Sequence, residues 1–286
     1  MTPTRQFITE KPNFFLGLEA TVAAALAEDI GSGDINAELV DSQQQASAEL
    51  VCKAQGMLCG SRWFEEVFHQ LDNQVQISWL AADGDRVAPG QTLALLKGNA
   101  RALLTGERTA LNLLQTLSGT AWQAYQVRQR FNHAVRILDT RKTIPGLRLA
   151  QKYAVAIGGC ENHRSGLYDA FLIKENHIAA SGSIGKAVQR ARELAPGLPV
   201  EVEAENLAEV QQALEAGADR IMLDELSRDQ QVEAIELIGG RAEIEVSGNI
   251  DPHNPPADLP PGVDCISIGS LTKHLVALDL SLRIII

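Results

Sequence analysis

The sequence predicts an α/β fold in which repeated β–α units lay down a parallel sheet with crossover helices, preceded by a smaller α+β domain. Three observations lead there. Strand-like runs alternate with helical patterns from about residue 115 onward, which is the rhythm of a parallel sheet. The residues before that point mix helical spacing with hairpin chemistry instead. A chain of 286 residues also amounts to roughly two domains of about 150 residues, or one barrel with an attachment.

The elements follow in chain order. Helical spacing marks 18–26 and 61–71; in the second, Trp63, Val67 and Leu71 line up with Phe64 and Phe68. Short β-like runs lie at 48–53, 75–80 and 91–97. Asp-Gly and Pro-Gly within 82–90 make a hairpin corner, because both satisfy tight-turn geometry. An apolar helical pattern covers 105–131 through Ala110, Leu111, Leu114, Leu117 and Ala121. Strands then read at 135–139, 170–174, 199–203, 220–224, 243–247 and 265–269, with helices at 145–157, 183–194, 207–216 and 228–238. Closed, these units make an α/β barrel; open, a doubly wound sheet. No G-x-G-x-x-G follows the first strand, which speaks against a dinucleotide fold.

Composition narrows the class. With 45% hydrophobic and 21% charged residues, disorder, collagen and coiled coil are excluded. No apolar run reaches the roughly 18 residues of a membrane span. The amino terminus lacks the basic-then-apolar pattern of a secretory signal, and the four cysteines never fall as C-x-x-C, so a reduced cytoplasmic protein is expected. The net charge of −11 argues against a nucleic-acid partner. It hides a contrast, however: residues 101–190 carry 13 Lys+Arg against 5 Asp+Glu, a net of +8, and the remainder is −19. One basic stretch in an acidic chain suggests a focused site for a small anion.

The strand ends carry the chemistry, since the loops there build the active sites of β/α barrels. In order they are Asp139-Thr140-Arg141-Lys142, Lys174-Glu175, Glu203-Ala204-Glu205, Asp224-Glu225, Ser247-Gly248-Asn249 and Gly269-Ser270. Alternation puts Glu201, Glu203 and Glu205 on one face of their strand, and Glu243, Glu245 and Ser247 repeat the pattern. In a barrel these glutamates point into the lumen, where buried carboxylates must meet cations; Arg141, Lys142 and Lys174 arrive at the same edge. Arg108, Arg141, Lys142, His163, Arg164 and Lys174 form a basic set suited to a substrate with several negative groups. The Gly/Ser strand ends suit a phosphate cradle. The sequence has no H-x-x-H, H-E-x-x-H or Cys/His cluster that would suggest zinc; Glu203 and Asp224 suit a hard cation such as Mg²⁺. Two rivals differ in kind: a Schiff-base aldolase built on Lys174, and a carrier module, because the stretch from Asp83 to Leu93 resembles the hairpin of biotinyl and lipoyl domains. The latter lacks a lysine at the turn.

A longer likeness covers nearly the whole chain, from Lys11 to Leu282. Leu104-Thr-Gly-Glu-Arg-Thr-Ala-Leu-Asn112, Leu138-Asp-Thr-Arg-Lys-Thr143, Pro145-Gly-Leu-Arg148, Asn162-His-Arg164 and Asp169-Ala-Phe-Leu-Ile-Lys-Glu-Asn-His177 resemble quinolinate phosphoribosyltransferase. So do Met222-Leu-Asp224, Glu245-Val-Ser-Gly-Asn249 and Ile268-Gly-Ser-Leu-Thr272. The resemblance implies transfer of phosphoribose from phosphoribosyl pyrophosphate (PRPP) to the ring nitrogen of quinolinate. CO₂ and pyrophosphate leave, and nicotinate mononucleotide forms for NAD synthesis, with Mg²⁺ present. It implies an incomplete, six- or seven-stranded β/α barrel with an N-terminal α+β sandwich domain, which places the domains at 1–112 and 113–274 with the tail 275–286 packed on the first. It also implies a homodimer with shared sites.

Carried over residue by residue, Arg141, His163 and Arg164 hold the quinolinate carboxylates, Lys142 and Lys174 add positive charge, and Arg108 reaches in from the partner. Glu203 and Asp224 serve the ribose hydroxyls and Mg²⁺. Ser247, Gly248, Gly269 and Ser270 cradle phosphate, with Asn249 beside them in the substrate-binding set. Glu225, where Asn is usual, Cys160-Glu161 within a Gly-rich stretch, and Ala204 for a larger aliphatic depart from the family pattern.

Overall fold

The computed structural model describes Phe7 and residues 11–131, 135–248 and 259–285. The chain divides into two compact units: one of Asn13–Gln126, Thr143–Gly159 and Leu271–Ile286, the other of Met1–Pro12, Val127–Lys142 and Cys160–Ser270.

The first unit opens with α1 (Leu18–Ile30), ended by Gly31 at φ 54°. Then come β1 (Gln45–Cys52), β2 (Gly56–Met57), α2 (Ser61–Leu71), β3 (Gln76–Trp79), β4 (Arg86–Val87), β5 (Thr92–Asn99) and the 31-residue α3 (Ala100–Arg130). The apolar spacing of α2 buries Trp63, Phe64, Val67 and Phe68. Its first turn is held by Asp83, which accepts the Gly60 and Ser61 N–H groups at 3.0 and 3.2 Å. A carboxylate there satisfies orphan donors and complements the helix dipole. The Tyr153 hydroxyl donates to the same carboxylate at 2.9 Å. Position 60 requires glycine, since φ is +109° and a Cβ would lie 2.9 Å from Leu117. An antiparallel sheet completes the unit: β12 (Leu280–Ile285) pairs with β1, β1 with β5, and β5 with β3. The hairpin corner is real but longer than a turn, because β4 lies inside it and pairs with β2.

The second unit is a six-stranded parallel sheet. Its strands are β6 (Arg136–Leu138), β7 (Phe171–Ile173), β8 (Val200–Ala204), β9 (Arg220–Asp224), β10 (Glu243–Ser247) and β11 (Cys265–Ser267), in the order β6-β11-β10-β9-β8-β7. β6 and β7 are its two edges, so the sheet curls without closing. Between the strands run α5 (Glu175–Ser181), α6 (Ile184–Leu194), α7 (Leu207–Glu215) and α8 (Arg228–Ile238). Short polar side chains start three of them: Ser183, Asn206 and Ser227 each accept an N–H from the first turn. In the first unit, α4 (Arg148–Ile157) begins three residues later than its periodicity suggests, because Pro145-Gly146 forms a turn with Gly146 at φ 80°. The helix α5, starting directly from the end of β7, is an element that the spacing did not announce.

Removing the Asp83 carboxylate tests the first unit. Asp83→Ala should lower the unfolding free energy by about 1–2 kcal/mol through loss of the α2 cap, read from the denaturant midpoint.

Candidate active site

All six strands of the second unit point the same way, so their carboxyl ends share one rim. At the end of β6, Asp139 is fully buried. It accepts the His163 amide at 2.9 Å and the Asn162 side-chain N–H at 2.8 Å. That carboxylate therefore ties the loop at 162–164 to the strand end. Two guanidiniums feel each other's charge at this ledge. Burial lowers the Arg164 pKa, and the neighbouring charge of Arg141 lowers it further. The Nε of Arg141 is buried without a hydrogen-bond partner among the described residues. Like charges held together beside an unused buried donor make a site ready for an anion.

Lys142 follows, drawn against the end of β11. A Cβ on Gly269 would sit 2.9 Å from the Lys142 Cδ, so any larger residue there would push that lysine from its place. Across the rim, the Lys174 ammonium contacts Glu203 Oε2. The Lys174 backbone is fixed by donating its N–H to His177 Nδ1 at 3.1 Å. Burial raises the Glu203 pKa; Lys174 counters this, while Asp224 and Glu175 add to it. Asp224 ends β9 beside Ser247, its register partner on β10. Gly248 turns away at φ +84°, where a Cβ would lie 2.8 Å from Glu225 Cγ and 3.3 Å from Asp224 Oδ1. Glu225 itself has φ 55°, the one positive value among described non-glycine residues. Ser270 opens the short α9 (Ser270–Lys273) after Gly269. Asn249 lies outside the described residues. Arg108 belongs to the first unit, exposed on α3.

Beneath the rim the expected pairing of glutamates with cations takes a different form. Glu203 meets Lys174, but Glu201, Glu243 and Glu245 are met by Arg220, Arg136 and His163 instead of by Arg141 or Lys142. Arg220 Nε donates to Glu243 Oε2 at 2.8 Å and Nη1 to Glu245 Oε2 at 3.0 Å. Arg136 Nη2 contacts Glu243 Oε1. His163 Nε2 lies 3.0 Å from Glu201 Oε2 and 3.5 Å from Glu245 Oε2. Glu205, expected on the inner face, lies past the end of β8 and is exposed. The reason is reach: the register sets Arg220 between Glu201 and Glu243 at the start of β9, and its long side chain runs along the interior. Arg220 and Arg136 are legible in the sequence as the first residues of their strands, with Val-Glu-Val-Glu and Glu-Ile-Glu-Val in the strands on either side of Arg220.

Burial alone would depress the His163 pKa, but Glu201 and Glu245 more than reverse that and raise it to about 10. The amide N–H of Arg164 faces Nδ1 at 2.7 Å, which puts the proton of the ring on Nε2, between the carboxylates. The three titrate together, so the proton belongs to the cluster.

A parallel sheet that delivers several cations and carboxylates to one rim defines an enzyme for a polyanionic small molecule. Known proteins make the class particular. Residues 34–118 match the family model for the quinolinate phosphoribosyl transferase N-terminal domain, and 120–283 match that for its C-terminal domain. A Bacillus subtilis protein named probable nicotinate-nucleotide pyrophosphorylase [carboxylating] is 42% identical over 90% of both chains. The crystal structure of NadC from Streptococcus pyogenes superposes with a TM-score of 0.90 at 41% identity, covering 97% of this chain and 99% of that one. The nicotinate-nucleotide pyrophosphorylase of Francisella tularensis does so at 0.88 and 44%, covering 99% and 100%. The chain belongs to the quinolinate phosphoribosyltransferase family.

The His163 cluster predicts a pH dependence of stability. A histidine whose folded pKa is raised stabilises fully below its unfolded value of about 6.5, and the contribution is lost as pH rises through about 10. Denaturant unfolding of wild type should therefore weaken relative to His163→Asn as pH is raised across that window. Parallel profiles would show that the cluster holds no extra proton.

Proposed function

We propose that this chain transfers phosphoribose from PRPP to the ring nitrogen of quinolinate with loss of CO₂, giving nicotinate mononucleotide and pyrophosphate, a step of NAD biosynthesis. The observation that carries the reading is the Arg141–Arg164 pair, with its depressed guanidinium and its unused buried Nε. Two planar forks offer bidentate contacts to two carboxylates, and quinolinate is a dicarboxylate. Lys142 and Lys174 add compact charge at the same rim.

Displacing pyrophosphate at the anomeric carbon builds positive charge on the ribose. Glu203, held by Lys174, and Asp224 are the carboxylates to which we assign its stabilisation. Once the pyridine nitrogen carries the ribose, it is a cation and accepts the electron pair released by decarboxylation. What the chain must do is align two substrates and exclude water, which many fixed contacts achieve better than one nucleophile. Ser247, Gly248, Gly269 and Ser270 supply small, open strand ends for phosphate, with Asn249 assigned to the same task.

The donor chemistry at Glu203 and Asp224 fits Mg²⁺: two hard carboxylates end neighbouring strands, and Asp224 Oδ1 lines the space that the missing Cβ of Gly248 leaves open. These two residues would hold the ion, which when bound neutralises charge on the pyrophosphate. We further propose a homodimer in which Arg108 completes the partner's site. The compartment proposed is the cytoplasm, in keeping with four buried cysteines, none of them in a C-x-x-C pattern; no helix among the described residues is long and apolar enough to cross a membrane.

PRPP-dependent release of CO₂ from carboxyl-labelled quinolinate tests the reaction, and chelation of Mg²⁺ should stop it. Borohydride trapping of Lys174 with a carbonyl substrate, without such release, would point to the aldolase chemistry. Lys142→Ala and Arg108→Ala should each abolish turnover with the fold intact. Mixing the two inactive variants should restore part of it, and no rescue would count against Arg108 acting in trans.

A further inference from the structure

We infer that Arg220, Glu201 and Glu245 are positioning residues for the acceptor pocket: their buried cluster clamps the His163 ring and thereby fixes Arg164, the residue that grips the substrate. This deepens the reading above and rests on it for the identity of the acceptor.

The geometry runs from the sheet interior to the rim. His163 is 6% exposed, and both its ring nitrogens face protein groups: Nε2 the Glu201 and Glu245 carboxylates, Nδ1 the amide of Arg164. What this side chain contributes to the pocket is therefore position. The loop is held twice, through its backbone by Asp139 and through the His163 ring by the cluster. Slackening the second tether lets the ring turn and takes the Nδ1 acceptor away from the Arg164 amide. That changes where the Arg164 guanidinium sits relative to Arg141.

The cluster is built from five of the six strands of the sheet. Glu201 enters from β8 and is fully buried; Arg220 enters from β9, and Glu243 and Glu245 from β10. Arg136 enters from β6, with Glu161 3.7 Å from its Nη1. From β11, Cys265 Sγ lies 3.8 Å from Glu245 Oε2, and Ser267 hydrogen-bonds the same residue. Below, the Arg220 guanidinium lies over the Phe7 ring at 4.2 Å. Glu201, Glu243 and Glu245 outnumber Arg136 and Arg220, so neutrality inside the sheet needs one more positive charge or one proton on a carboxylate.

His163, Glu201 and Glu245 also present ligand atoms within 4.8 Å of one another, the arrangement of a metal site. A divalent ion there would lie against a fixed guanidinium, since Arg220 Nη1 is 3.0 Å from the Glu245 oxygen that faces His163 and 4.0 Å from Glu201 Oε2. A proton satisfies the carboxylates without that repulsion.

Glu245→Gln keeps size and removes the charge, and it is read in three ways on the full-length protein. In steady-state kinetics KM for quinolinate should rise by about tenfold or more while KM for PRPP stays within about twofold. Nitrogen-15 histidine spectra, with His163 assigned by His163→Asn, should show wild-type His163 keeping one fixed Nε2–H form with Nδ1 unprotonated from pH 6 to 9, and the variant exchanging between tautomers. Purified wild type should contain no metal that is lost on His163→Asn. Equal rises in both KM values, a wild-type His163 that titrates near 6.5, or one metal ion per chain dependent on His163 would each overturn the clamp. Should Glu245→Gln not fold, Glu201→Gln and the wild-type spectrum decide the matter. Absence of CO₂ release by wild type would sink the function, whereas the spectra judge the clamp independently of it.

Discussion

Carboxylates buried inside a parallel sheet are the constraint on which the rest of this structure depends. Glu201 and Glu245 are fully buried, and Glu203 and Glu243 are 7% exposed. An isolated ionised carboxylate in such a place costs several kcal/mol, so each must be matched by a cation or a proton. The strands match them in two tiers. Arg136, Arg220 and His163 serve the lower tier, and Lys174 serves Glu203 at the rim. Replacing the whole lower tier with aliphatic side chains would fill the sheet as well. What an ionic interior adds is a fixed direction for the groups above it: the Lys174–Glu203 pair, and the loop that carries His163 and Arg164.

At the rim the backbone takes part in the same arrangement. Glu225 occupies a left-handed conformation, which strains a residue with a Cβ, and its amide donates to Ser247 O at 3.3 Å. Gly248 leaves the space that the Glu225 and Asp224 side chains use. The turn after β9 is thus shaped together with the turn after β10, and the orientation of Asp224 follows from both. An Asn at 225 would adopt that backbone more readily. The Glu adds a negative charge beside Asp224.

Much of this could be read from the residues. The patterns of α2, α8, β9 and β10 match the structure in extent, because each has apolar spacing bounded by glycine, serine or aspartate. Strand ends led directly to Arg141, Lys142, Lys174, Glu203 and Asp224, and the second unit holds all five. The failures have physical causes. α5 was hidden because its first turn reads as the charged end of β7, and its start rests on a side-chain contact from His177 that spacing does not reveal. β4 is two residues long and pairs at a distance in sequence, with β2. The partners of Glu201, Glu243 and Glu245 are not legible in the sequence, because alternation tells which face a side chain occupies but not how far a long one reaches. Arg220 starts its strand on the inner face, and its guanidinium travels along the sheet to carboxylates on both neighbours.

The central claim is that separate stretches of chain converge to grip two carboxylates at once. Calorimetric titration of the purified protein with quinolinate, and then with nicotinate, tests it most directly. The account predicts that quinolinate binds at least about tenfold more tightly, a difference of about 1.4 kcal/mol, and that Arg141→Ala removes most of that advantage. Equal affinity for the two acids, or a preference that survives Arg141→Ala unchanged, would contradict it.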